Sequence, residues 1–206
     1  MARAFPPSHQ TDPLEDVGSA KMPALAFIEL SSISRGIYLT DVVIKKAPVR
    51  IITSQPISSG KHVLLFVGDN ASVEESHGAA LAAADGTIVR QVLIPGVHPA
   101  LAPFLDSIWS ADAARNPIGD SVAIVESTSL AGAILSADQA LKTADVQLCR
   151  MRLGQGIGGK AFFVISGKQE EVEAAVDAAN ICLRQLDSYC RTDVIPRPET
   201  EALAYL

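Results

Sequence analysis

Two copies of one pattern run through this 206-residue chain, and few folds accommodate that. A strand-like apolar run at residues 24–28 ends at Glu29, and another at residues 122–125 ends at Glu126, 97 positions later. Asp41, Lys45, Ala47 and Val49 recur at the same offset as Asp138, Lys142, Ala144 and Val146. Past a loop the offset becomes 99, linking Gly60 to Gly159, Lys61 to Lys160, Gly68 to Gly167 and Val73 to Val172. At the end of each copy it is 101, linking Ile94-Pro95 to Ile195-Pro196. Offsets that hold through elements and step only in loops mark a duplicated unit.

Each unit reads as strand, helix, strand, strand, helix, strand. In the first copy Ser31, Ser32 and Ser34 offer helix caps, and Ile33, Ile37, Asp41 and Ile44 fall at helical spacing. Lys45 and Lys46 suit the negative end of that helix, and Pro48 stops it. Strands follow at 49–52 and 62–67, then a helix over 72–84 with Val73, Ala80, Leu81 and Ala84 inward, then a strand over 88–94. In the second copy Val172, Ala175, Val176, Ala179, Cys182, Leu183 and Leu186 form a broad apolar stripe, with Glu170, Glu171 and Glu173 at its N-terminal end. This order predicts an α+β chain of two ferredoxin-like sandwiches, each an antiparallel sheet with helices on one face. The expected divisions are an extension at 1–22, a first domain at 23–98, a connector at 99–120 and a second domain with a tail at 121–206. The connector holds Pro103, Pro117, Gly119 and a packing anchor, Trp109.

Composition narrows the function. With 48% hydrophobic and 19% charged residues the chain can build a full core. A net charge of −6, without a basic stripe, argues against nucleic acid. Cys149, Cys182 and Cys190 are an odd number at no metal-ligand spacing, which predicts reduced thiols. No run approaches the roughly 20 apolar residues a spanning helix needs. Residues 1–22 lack the apolar centre of a signal peptide, so a soluble cytoplasmic protein is expected.

The two glycine- and serine-bearing stretches, 56–61 and 154–160, invite sharper readings. A phosphate loop needs Lys followed by Ser or Thr and then a helix. Here Lys61 precedes His62, Lys160 precedes Ala161, and both runs that follow read as strands. A hydrolase would pair Ser58 or Ser59 with His62 and an acid such as Asp69, yet no nucleophile-elbow pattern surrounds them. His9, His77 and His98 show no metal-ligand spacing, and no enzyme activity is expected. A loop of small residues used twice points instead to close approach around an axis.

Taken together, Glu at the first strand's end, Asp-x-x-x-Lys-x-Ala, a Gly/Ser loop, a strand ending in Gly and a closing Ile-Pro resemble the bacterial microcompartment (BMC) shell domain. Two unpermuted copies resemble the tandem, trimer-forming, single-layer members of that family. Residues 195–198 match the family's tail motif, whereas Gly96 replaces its arginine in the first copy. The resemblance implies a homotrimer imitating a hexamer, tiled with hexameric and pentameric shell proteins into a facet and passing small metabolites through a central pore. It implies a pore lined by Ile57, Ser58, Ser59 and Gly60 alternating with Gly156, Ile157, Gly158 and Gly159. Lys61 and Lys160, next in sequence, would favour anions if they reached the lumen. Lys45, Lys142 and Arg197 fall at the family's tile-edge positions. Some tandem members hold an iron–sulfur cluster on a pore-loop cysteine; Ser58, Ser59, Gly158 and Gly159 stand there instead, so no cofactor is expected. The alternative is a small-molecule sensor that binds an effector between its halves or between subunits.

Overall fold

The computed structural model describes residues 23–57, 60–107, 115–154 and 156–203. The 1–22 extension, Trp109, Ser58 and Ser59 lie outside the described residues. Strand β1 (Ala24–Leu30) is buried along its whole length, which is why it reads as an unbroken apolar run. Helix α1 (Ile33–Lys46) follows; the Ser32 hydroxyl caps it, accepting from the Arg35 N–H at 3.3 Å. Then come β2 (Arg50–Ile57), β3 (Lys61–Gly68), α2 (Asn70–Ala83) and β4 (Ile88–Ile94). The sheet is antiparallel throughout, in the order β2-β3-β1-β4.

The connector is folded. A 3-10 turn (Pro99–Leu101) and α3 (Ala102–Asp106) bury Leu101, Phe104 and Leu105, and Asp106 pairs with Arg50 at 3.2 Å. The second unit then repeats the first: β5 (Ser121–Ser127), α4 (Leu130–Thr143), β6 (Gln147–Leu153), β7 (Ala161–Gly167), α5 (Gln169–Gln185) and β8 (Tyr189–Pro196). Its sheet runs β6-β7-β5-β8, and a short α6 (Thr200–Leu203) follows. Both units therefore have the unpermuted α+β order that the sequence predicts.

Two details depart from the sequence reading. Helix α2 starts at Asn70 because the Asp69 carboxylate caps it, accepting from the Ser72 hydroxyl at 2.6 Å and the Ser72 N–H at 3.0 Å. Its buried face is Val73, Ser76, His77 and Ala80, while Leu81 is only half-buried.

The stripe Ile33, Ile37 and Ile44 on α1 faces outward; Gly36, Leu39 and Val43 are the residues it buries. Gly36 is there for space. A Cβ at that position would lie 2.1 Å from Cδ2 of His62, which is wedged beneath the helix. The second copy meets the same constraint differently, with Ala133 and Ala161 at the equivalent positions.

Candidate assembly and pore surfaces

The two units share one core, with Leu25, Phe27, Val92 and Ile94 of the first packed with Leu130, Ile134 and Leu141 of the second. Helix α4 makes this seam, lying on its own sheet and also against β4 and β1. A helix covered on two sides must be apolar on two sides, and α4 buries ten of its fourteen residues. Asp138 sits at the seam, fully buried. Its Oδ1 accepts the His98 N–H at 2.7 Å, and its Oδ2 accepts the Lys142 ammonium. Two donors on a buried carboxylate offset its loss of water. The tail of unit one is thereby fastened to the first helix of unit two.

Every half of that seam exists a second time, uncovered. On α1, Ile37 is 62% exposed where its counterpart Ile134 is 0%, and Ile44 is 55% exposed where Leu141 is 6%. On β8, Ile195 is 38% exposed where Ile94 is 3%. Asp41 matches Asp138 and holds Lys45 at 2.7 Å, but it is exposed and lacks the backbone donor. The position matching His98 is Glu199. It opens α6 just as His98 opens the 3-10 turn of the connector. Gly96 and Arg197 also correspond, and both have positive φ, at 74° and 46°. One backbone turn serves both tails even though the arginine is present only in the second.

The two loops meet beside the seam. A Cβ on Gly154 would lie 3.4 Å from Cδ1 of Ile57 and 3.2 Å from Cδ2 of Leu130, so the end of β2 packs onto the start of the second loop. Ile57 is consequently buried, its side chain packed against the second unit at Gly154. Gly159 is buried as well, whereas Gly60, Gly156 and Gly158 are exposed and Ile157 is half-buried. Backbone conformation accounts for the glycines: Gly156, Gly158 and Gly159 have φ of 69°, 65° and 79°, and a Cβ on Gly158 would meet nothing within 4 Å. Two hydrogen bonds hold the loop closed, Gly154 N–H to the Lys160 carbonyl at 2.9 Å and Lys160 N–H to the Ile157 carbonyl at 3.2 Å.

The lysines that follow the loops do not carry free charge. Lys61 reaches back to the buried Glu29 at 2.7 Å, and Lys160 to Glu126 at 3.4 Å. Hydrogen bonding to Cys190 and then to Glu126 raises the Lys160 pKa. The repeated strand-end glutamates, whose role the sequence left open, are thus the partners of the repeated lysines. Lys45 and Lys142 are each held by the aspartate one turn back on their own helix. Arg197 is exposed, with no ion pair among the described residues.

Among the described residues none of the sharper chemistries is assembled, Ser58 and Ser59 lying outside them. His62 Nε2 lies 2.9 Å from the Ser54 hydroxyl, itself 2.6 Å from that of Thr40, but His62 is buried and Asp69 is occupied as a cap. Burial lowers the pKa of His62. Cys149 donates to the Pro117 carbonyl, and burial pushes its thiol up to about 11, away from the reactive thiolate. Among the described residues no group of His, Cys, Asp and Glu could hold a metal, and no helix is long and apolar enough to cross a membrane.

The family model for the BMC domain matches residues 24–97 and 121–198, so the chain belongs to the BMC-domain family. It is a bacterial microcompartment shell protein with two BMC domains in tandem. It is 31% identical over 175 residues to the bacterial microcompartment shell protein PduT of Citrobacter freundii, covering 85% of this chain and 92% of the relative. It superposes with a TM-score of 0.79 on the crystal structure of a microcompartment protein from Desulfitobacterium hafniense DCB, at 31% identity, covering 90% of this chain and 99% of that one. The fused permuted hexameric shell protein of the RMM microcompartment shares the fold, with a TM-score of 0.60 at 23% identity over 80% of this chain and 85% of that one.

Proposed function

We propose that three copies of this chain close into a ring of six BMC domains, that the rings tile with other shell proteins into a microcompartment facet, and that metabolites pass through the centre. One observation carries the reading: each half of the internal seam recurs, uncovered, on the other unit. The bare α1 face of one chain fits the bare β8 edge of the next as α4 fits β4. A heterologous contact that repeats one rotation either closes into a ring or grows into a filament. If the seam between chains has the rotation of the seam within them, six units and therefore three chains complete a turn. Asp41 then gains the N–H of the neighbour's Glu199, the donor that Asp138 finds in His98.

The loops lie beside the seam, so a ring of seams gathers six loops about its axis. Gly60, Gly156, Ile157 and Gly158 are the described residues offered to the lumen, together with Ser58 and Ser59 from the sequence. Lys45 would sit at a seam between chains, as Lys142 does within one, so its substitution would loosen the ring as well as any tile edge. Arg197, exposed and with no ion pair among the described residues, is the cleaner edge candidate.

Electron microscopy of the purified protein tests the reading. Discs with threefold symmetry and a central hole, growing into flat sheets, are expected. A discrete oligomer without a hole, stabilised by a single small molecule, would favour the sensor alternative instead.

A further inference from the structure

The helix-free face of the second sheet carries a cluster of guanidinium groups at its β6 edge, opposite the β8 edge. Strand register puts Arg152, Phe162, Glu126 and Arg191 in one row across the sheet, and Arg150, Val164, Ile124 and Asp193 in the next. Residues in register project to the same side, so Arg150 and Arg152 stand side by side on β6, an edge strand. The connector brings a third. The Asn116 N–H donates to the Cys149 carbonyl at 3.0 Å and its side-chain amide to the Leu148 carbonyl at 2.8 Å, which ties the connector to β6 and brings the charge of Arg115 within reach of Arg150.

The acids on this face are already engaged. Asp193 is held by Arg191 at 2.6 Å, and Glu126 by Lys160 at a position two strands away from Arg152. No carboxylate among the described residues forms an ion pair with Arg115, Arg150 or Arg152. Arg150 is half-buried, and its burial and the charges of Arg115 and Arg152 together lower its pKa. Three like charges gathered without a counter-charge are destabilising unless an anion joins them. Arg152 also adjoins the second glycine loop: a Cβ on Gly156 would lie 3.8 Å from its Nη2. The first unit has Thr53 and Gln55 at the positions of Arg150 and Arg152, so the feature belongs to one copy only.

We propose that Arg115, Arg150 and Arg152 form a binding site for a small oxyanion, a carboxylate or phosphate group borne by a metabolite, beside the second glycine loop. Guanidinium forks bind both groups through paired N–H donors. The site lies within one chain. Only its use as a charge filter, repeated three times around the pore mouth, rests on the ring.

Calorimetric titration with inorganic phosphate and, separately, with acetate tests this, ionic strength being held constant with sodium chloride. Saturable binding of at least one probe is expected, and the arm that binds assigns the phosphate or the carboxylate class. Arg150→Gln with Arg152→Gln should weaken it at least tenfold, and Arg152→Lys, which keeps the charge but loses the fork, should fall between. Lys61→Gln, whose ammonium is committed to Glu29, should leave it within twofold. Circular dichroism confirms that each variant is folded. No saturable binding by either probe, or equal binding by the double glutamine variant, overturns the site. Sedimentation of the same samples separates the two proposals, because a monomer that binds removes the ring and a trimer that does not bind removes the site.

Discussion

Replacing Ile37 by Ala probes the bare copy of the seam, and replacing Ile134 by Ala probes the covered one. Full burial of an isoleucine side chain is worth roughly 2–3 kcal/mol. Covering a residue that is 62% exposed in the single chain therefore contributes about 1.2–1.9 kcal/mol at each seam between chains. A closed ring of three chains has three such seams, so Ile37→Ala should cost the trimer about 5 kcal/mol, between three and four powers of ten in its association constant. Sedimentation equilibrium over a range of concentrations reads that shift, while the urea midpoint of the dissociated chain should hardly move. Ile134→Ala should behave in the opposite sense. It opens a cavity inside one chain, costs about 2–5 kcal/mol of folding stability and shows no dependence on protein concentration. Association of Ile37→Ala within threefold of the parent, or an equal loss of folding stability in both variants, would refute a bare seam on α1.

Three further outcomes follow from the same geometry. Gly36→Ala should destabilise by about 1–3 kcal/mol through overpacking on His62, and adding His62→Ala should restore most of it by rebuilding the Ala133–Ala161 solution of the second copy; a double-mutant cycle of urea melts without coupling would contradict this. Burial lowers the pKa of His62 and of His77 from the ordinary 6.5, so below about 6.5 the unfolded chain takes up protons first. Stability should be flat above that pH and fall as pH drops toward the folded-state values, with His77→Gln reducing the slope in urea melts at pH 7.5 and 5.5. Arg197→Ala should abolish sheet growth in electron micrographs while the sedimentation coefficient of the ring stays the same.

Most of the architecture is legible in the sequence, because duplication writes each element twice and the offsets locate the loops. Periodicity fails on α1, where it marks Ile33, Ile37 and Ile44 without saying which side they face. A helix destined for contact on two sides has two apolar stripes, and spacing cannot rank them. The small residue Gly36 was the available clue to the inner face, but it is intelligible only once His62 is seen beneath it. The glycine loops show the same limit. Sequence suggests small residues for close approach, whereas positive φ at Gly156, Gly158 and Gly159 demands glycine even where space is open. The pairing of Lys61 with Glu29 spans 32 positions and depends on the register of β1 against β3, which no local pattern reveals. Ile57 reads as a loop residue and packs as a core one, because the second unit's Gly154 and Leu130 lie over it.

Cysteine cross-linking addresses the ring itself most directly. With Cys190 replaced by Ser, Asp41→Cys and Glu199→Cys would be joined by a short bis-maleimide and the products sized on a denaturing gel. Asp138→Cys with His98→Cys serves as the control, joining two residues of a single chain that are linked in the parent by the His98 N–H donating to the Asp138 carboxylate at 2.7 Å. A ladder from one 21.7 kDa chain to two and three, and no further, is the expected result for Asp41 with Glu199, against a single band for the control. A product that never exceeds one chain, or a ladder running past three, would contradict a closed ring built by repeating the internal seam.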